Sequence, residues 1–419
     1  MTALALPLHP AAASIAIPRS ATHRLALALV WLTVASGAVV FTEPAPVDVL
    51  SMGLVVLLPV IGLVAISRSL VVLLALMLTA TAAGVVAAAN ASDLALAITH
   101  TGVSFYFYVA TFVFAAFVAK SPNAHTRLIL NAYTWAAVAA SLLGIVGYFD
   151  LLPDARELMT RYGRATGLFK DPNVFGPFLV PALVYGLSRL AGLRLRKSIP
   201  LLGLLLVIGL AMLLSFSRGA WINLGVATAI YGALHILTVR DNRARLKFAV
   251  LAVMGIAALS ALVLVALQFD AVSGLASERA SLDQSYDEGP EGRFGGQQKA
   301  ALLILEHPLG IGAQQFVPQY HREEPHNVYL AKFLNARWLG GFLFLSLVVL
   351  TGVWGLRHAF VRCATQPLFL VVYACFVAHV LEGLVIDLDH WRHFYLLMAL
   401  AWGLMLSGTP VVAKVSGHS

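Results

Sequence analysis

The chain has 419 residues, of which 60% are hydrophobic and 11% charged, with a formal net charge of +8. A soluble domain of this size has no use for so much apolar surface, so the composition excludes a globular enzyme and points to a polytopic membrane protein. The positive balance does not indicate nucleic acid, because it divides by topology, as shown below.

Residues 1–24 begin "MTALALPLHPAAASIAIPRS", with no basic residue ahead of a short apolar run, and read as a cytoplasmic tail rather than a cleaved leader. Apolar segments of spanning length follow at 25–41, 47–66, 69–89, 96–118, 128–149 and 174–192, then at 199–216, 220–239, 248–269, 338–356, 367–387 and 393–408. These twelve helices make one all-α membrane domain over 25–408, with loops at 150–173 and 270–337 and a cytoplasmic tail at 409–419. Cys363 and Cys375 are twelve residues apart on one predicted helix, roughly 18 Å, which is too far for a disulfide.

With both termini cytoplasmic, one set of connections carries sixteen Lys and Arg against one acid, Asp241, and the remainder carries twelve basic and nineteen acidic residues. This positive-inside bias sets the orientation. It puts four polar features on the outer face: the loop 150–173, the turn "SFSRGAW" (215–221), the loop 270–337 and the turn "DLDHWRH" (387–393).

In "YGRATGLFKDPNVFGPFL" the triplet Asp171–Pro172–Asn173 reads as a helix start, with Pro172 in the first turn and Asn173 capping, and leaves Arg164 and Lys170 less readily explained. Arg218 stands between two apolar segments. It either snorkels to headgroups or, with its planar fork of donors, clamps phosphate. "EGRFGGQQKAALLILEHPLGIGAQQF" (291–316) reads as an amphipathic helix that starts at Arg293, breaks at "HPLG" and ends in a glycine turn. In "HREEPHNVYL", Asn327 suits a helix cap. His321, Glu323, Glu324 and His326 offer metal-ligand chemistry, whereas His326 alone, oriented by a carboxylate, offers a general base. His379 and Glu382 share one helix face below the boundary, either as a functional pair or as an inter-helix hydrogen bond.

Taken together, "GRATGLFKDPNVFGPFL", "SFSRGAW", "GRFGGQQKAALLILEHPLGIGAQQF" and "PHNVYLAKFLNARWLGG" resemble the O-antigen ligase and polymerase superfamily, in order and on one face, over residues 100–408. The resemblance implies a GT-C-type membrane fold with short helices in its long periplasmic loop, set in the bacterial inner membrane. It implies inverting transfer of a glycan from undecaprenyl diphosphate at the periplasmic face, without metal or other cofactor. The acceptor is a hydroxyl of lipid A-core for a ligase, the favoured reading, or of another lipid-linked glycan for a polymerase. By resemblance His326 is the catalytic base, and Arg218, Arg293 and Arg164 bind the donor diphosphate. Asn327, Lys170, Asp389, Arg392, Glu382 and His379 are supporting candidates. A secondary transporter is the rival from another class, but its two halves would be joined by a long cytoplasmic connection, whereas residues 193–198 are few.

Overall fold

The computed structural model describes residues 21–193, 195–266, 268 and 289–406. The tails expected at 1–24 and 409–419, and part of the loop 270–337, therefore lie wholly or largely outside the described residues. Within them the chain is helical: α1 (Ala21–Ala35), α2 (Pro46–Val60), α3 (Arg68–Ala88), α4 (Leu94–Lys120), α5 (Pro122–Tyr148), α6 (Ala155–Met159), α7 (Pro172–Gly192), α8 (Leu195–Leu214), α9 (Arg218–Thr238), α10 (Asn242–Ala266), α11 (Arg293–Glu306), α12 (Phe316–Gln319), α13 (Val328–Ala359), α14 (Gln366–Glu382) and α15 (Arg392–Met405). A helix stands at each of the twelve expected segments. Five of them, α3, α4, α5, α9 and α13, are long and apolar enough to cross a membrane, and shorter apolar helices lie at 46–60, 198–214 and 366–382. Their outward faces carry Val56, Val60, Val72, Ile222 and Leu237, exposed as a lipid-facing surface would require.

Local chemistry fixes the helix starts. Ser67, Asp93, Asp171, Ser217 and Asn327 each accept a backbone N–H of the first turn that would otherwise lack a partner. Pro46, Pro122 and Pro172 take first-turn positions, where no N–H is needed. Two ends run short of expectation. α1 gives way at Ser36 to a 3₁₀ turn and a two-residue strand, β1 (Val39–Val40), and α14 stops at Glu382 because Gly383 caps it. Both cysteines are free, and Cys363 lies in the turn before α14 rather than on the helix.

The connections fall alternately on two ends of the bundle. At one end Ala65 N–H donates to Ala116 (2.8 Å), Lys247 to the Leu193 carbonyl (2.7 Å) and Gln366 to the Ala359 carbonyl (2.8 Å). At the opposite end β1 pairs in parallel with β4 (Leu168–Phe169), and Asn90 donates to the carbonyls of Leu309 (3.3 Å) and Gly310 (3.1 Å). There too the Ser92 hydroxyl donates to Gln315 (2.6 Å). This second end gathers the four polar features that the charge bias assigns to the outer face.

α13 is two helices in one. Ala336 and Arg337 leave helical geometry, with Arg337 at φ +63°, so a short helix from Val328 meets the long apolar one at the position where the sequence places the start of the span, 338. The long part packs on α3, α15 packs on α4, and α14 packs on α9.

Candidate active site

Three turns build one wall of the site. β2 (Thr160–Arg161) and β3 (Arg164–Ala165) form a hairpin whose two central residues, Tyr162 and Gly163, both have positive φ (55° and 68°). That is the turn whose twist suits a two-residue hairpin, and it delivers Arg164 inward. Arg164 is 5% exposed; its Nε donates to the Ser215 carbonyl (2.7 Å) and its Nη2 to Asn173 Oδ1 (2.8 Å). It therefore stitches the "SFSRG" turn to the "DPN" turn. The cap of α7 is Asp171, which accepts from Asn173 N–H (2.6 Å), and the Asn173 side chain serves Arg164 instead of capping, contrary to expectation. Gly176 completes the wall, since a Cβ there would lie 3.0 Å from Ser215 Oγ.

The turn after α14 is the hub for the rest. Glu382 is buried, accepts from Asn223 Nδ2 (2.5 Å), and sets Oε1 so close to Gly219 that a Cβ there would stand 2.8 Å away. The carboxyl thus packs along one side of α9, against Gly219 and Asn223, one turn apart. One residue on, the Gly383 carbonyl accepts from Val328 N–H (3.0 Å), and the Leu384 carbonyl accepts from Asn327 Nδ2 (3.0 Å). Asn327 also caps the short helix, as expected, accepting from Tyr329 N–H (3.0 Å) and Leu330 N–H (3.2 Å). Gln297 reaches in from α11 and donates to the carbonyls of both His326 and Leu384 (3.3 Å each). Arg293 is the first residue of α11, one turn before Gln297. Arg293 stands close enough to His326 to act on its charge, and Glu382 packs against Gly219, the residue next to Arg218.

His326 is held in the left-handed region, φ +47°, and its Nε2 faces Glu323 Oε2 at 3.2 Å. Burial and the Arg293 guanidinium lower its pKa from the usual histidine value, with Glu323 and Asp171 acting in the opposite sense. The imidazole is therefore neutral at pH 7 and able to take a proton. Its neighbour Glu324 is pushed up to about 7 by burial and by Asp387.

The other candidates divide. Lys170 forms an exposed pair with Glu43 (3.0 Å). His379 is fully buried, its Nδ1 on the Cys375 carbonyl (2.8 Å) and its ring against His393 and Trp391. It shares a helix with Glu382, but its Nδ1 faces the Cys375 carbonyl whereas Glu382 accepts from Asn223 on α9, so the two residues serve different partners. Arg392 forks onto Asp48 with bonds of 2.8 and 2.7 Å, and Asp389 is ion-paired with Lys332, so both turn toward bundle partners and not toward Arg218. His321 faces the carbonyls of Glu323 (3.0 Å) and Pro290 (3.3 Å), so its ring belongs to the loop backbone. Among the described residues, the group of histidines and carboxylates with metal-ligand spacing is His100, Asp389 and His390, not the 321–326 cluster.

Sequence reasoning passed over Gln297 and Lys332. Gln297 stands four residues after Arg293 on the same helix face, and Lys332 is a lone lysine in an apolar run; both were readable signals.

Residues 202–345 match the family model described as O-antigen ligase. The matched segment contains Arg218, Arg293 and His326, whereas Arg164 and Glu382 lie outside it. No curated protein matches the chain.

Proposed function

We propose that this protein transfers a glycan from an undecaprenyl diphosphate-linked donor to an acceptor hydroxyl at the end of the bundle that carries His326. The observation that supports the reading is that Arg218 and Arg293 each open a helix, and that those helices reach the 382–384 turn through Gly219 and Gln297, the latter also bonding the His326 carbonyl. In such a transfer negative charge grows on the departing diphosphate as the anomeric carbon becomes cation-like. Two guanidiniums at helix N-termini are suited to that charge, and fixed groups of this type supply several kcal/mol in a water-poor site. His326, kept neutral and partnered by Glu323, is suited to receiving the acceptor proton. A base on the face opposite the leaving group implies in-line displacement with inversion. Arg164, its Nε and Nη2 engaged by protein oxygens, is better suited to positioning than to gripping the diphosphate.

The charge bias supports a location outside the cytoplasm for this end, which in the proposed reaction is the periplasmic face of a bacterial inner membrane. Within the family we favour the ligase, with lipid A-core as acceptor. The polymerase is discriminated by gene deletion: loss of a ligase leaves long lipid-linked polymer, and loss of a polymerase leaves lipopolysaccharide with a single repeat unit.

Purified protein in detergent, given lipid-linked donor and acceptor with no ion gradient, should make product. The His326→Ala variant should make none while binding donor as before. Turnover by His326→Ala would remove the imidazole as base, and donor-dependent product without a gradient would exclude transport.

A further inference from the structure

Away from the proposed site, α4, the 383–391 turn and the short helix of α13 bring charged groups together inside the bundle. Asp389 is 3% exposed. Its Oδ1 takes the Tyr395 hydroxyl (3.1 Å) and the Lys332 ammonium. Its Oδ2 is left facing two imidazoles, with His100 Nε2 at 3.9 Å and His390 Nε2 at 3.8 Å. Those separations are too long for hydrogen bonds. They are close to what one shared cation requires, since donors about 2.0–2.1 Å from a tetrahedral zinc stand roughly 3.3 Å apart. The three ligand atoms all lie within 4.8 Å of one another. Ser104 Oγ stands beside them, 3.2 Å from His390 Nε2 and 3.5 Å from Asp389 Oδ2, and is also within 3.5 Å of the Lys332 ammonium.

We infer that His100, Asp389 and His390 form a binding site for one divalent transition metal of the zinc type. Two neutral imidazoles and one carboxylate oxygen are the ligand set of such metals, whereas calcium and magnesium call for more oxygens. Lys332 and Tyr395 hold the other oxygen of Asp389, as partners of ligating carboxylates do, and so fix which oxygen faces the ion. The ammonium also adds a positive charge nearby, which makes the site one of moderate affinity. Entry is from the His390 side, where the ring is 30% exposed. Bound there, the ion ties α4 to the turn before α15 and, through Lys332, to the helix that begins two residues after His326. Its role is to hold these elements together, and it takes no part in the transfer reaction proposed above.

The test uses full-length protein in detergent, purified without a polyhistidine tag, stripped of metal and titrated with Co²⁺ and then Zn²⁺. The expected result is one Co²⁺ per chain with visible bands of a low-coordinate nitrogen and oxygen site, displaced by Zn²⁺. Zn²⁺ should raise the unfolding midpoint of the wild-type protein but not of His100→Ala or His390→Ala. Each of those variants should bind at least as much more weakly as the roughly 10–100-fold that losing a supporting partner costs. His307→Ala, a histidine elsewhere on the same end, should bind as wild type does. Should an alanine variant aggregate, His100→Asn and His390→Asn take its place in the same comparison. Less than a tenth of an ion per chain, or unchanged binding in His100→Ala/His390→Ala, overturns the site.

Discussion

Arg164 offers the sharpest test, because its geometry separates bracing from binding. Arg164→Gln removes bonds of 2.7 Å to the Ser215 carbonyl and 2.8 Å to Asn173 Oδ1. Hydrogen bonds from a charged donor contribute about 1.5–3 kcal/mol each, so the pair is worth about 3–6 kcal/mol, and two acceptors are left without it. The turn before Arg218 and the turn before α7 then lose their mutual register. A shift of about 1 Å in such a site costs on the order of 100-fold in rate. The unfolding midpoint of Arg164→Gln should fall by at least about 3 °C, with ~1–2 °C for each kcal/mol in a chain this long. Turnover should drop by roughly 100-fold, with donor Kd changed by less than about 3-fold. Arg218→Gln provides the contrast: donor Kd should rise by roughly 30-fold or more for the loss of a charged fork. Thermal unfolding in detergent and donor binding by calorimetry read both. If Arg164→Gln keeps its midpoint and loses donor affinity as fully as Arg218→Gln, Arg164 holds diphosphate directly and the bracing argument fails.

Three further outcomes follow from the same geometry. Because burial and Arg293 favour neutral His326, the acid limb of turnover should lie below pH 6.5. Arg293→Gln, which removes a cation, should move the limb up, and Glu323→Gln, which removes an anion, should move it down; a wild-type limb above 6.5 contradicts the assignment. Arg218→Lys keeps the charge but loses the planar fork, so kcat should fall by at least about tenfold, and full activity in that variant would sink the bidentate clamp. Glu324 ionises near 4.5 when unfolded and near 7 when folded, so the folded state holds the extra proton and stability declines as pH rises between those values, by about 3 kcal/mol in all. Glu324→Gln should therefore raise the unfolding midpoint at pH 8 and leave it nearly unchanged at pH 5; an equal gain at both would refute the burial argument.

The helices were legible because a run of apolar residues long enough to span is a strong signal, and the Asn327 cap because asparagine commonly caps such a run; the same reading failed at Asn173, whose side chain serves Arg164. The first residue of α11 was read correctly as well. What could not be read was pairing across the chain. "RYGR" gives no hint that Arg164 will reach Ser215, and nothing in "DPN" says that its asparagine will serve an arginine nine residues earlier. The strands β1 to β4 are two residues each, too short for any periodicity. Arg392 and Asp389 looked like ligands for an anion because they stand in one polar turn, but their acceptors and donors, Asp48 and Lys332, lie 344 and 57 positions away in sequence, where only the fold can bring them.

The break at Ala336–Arg337 has a mechanical consequence. A continuous rod from Val328 to Ala359 would transmit every tilt of the span straight to the imidazole at its head. On the proposed function the interruption would serve as a joint: thicker or thinner bilayers could lean residues 338–359 while the short helix above stays latched at Asn327 and Val328 to Leu384 and Gly383. The proposed catalytic end would thereby be insulated from the lipid in which the protein floats.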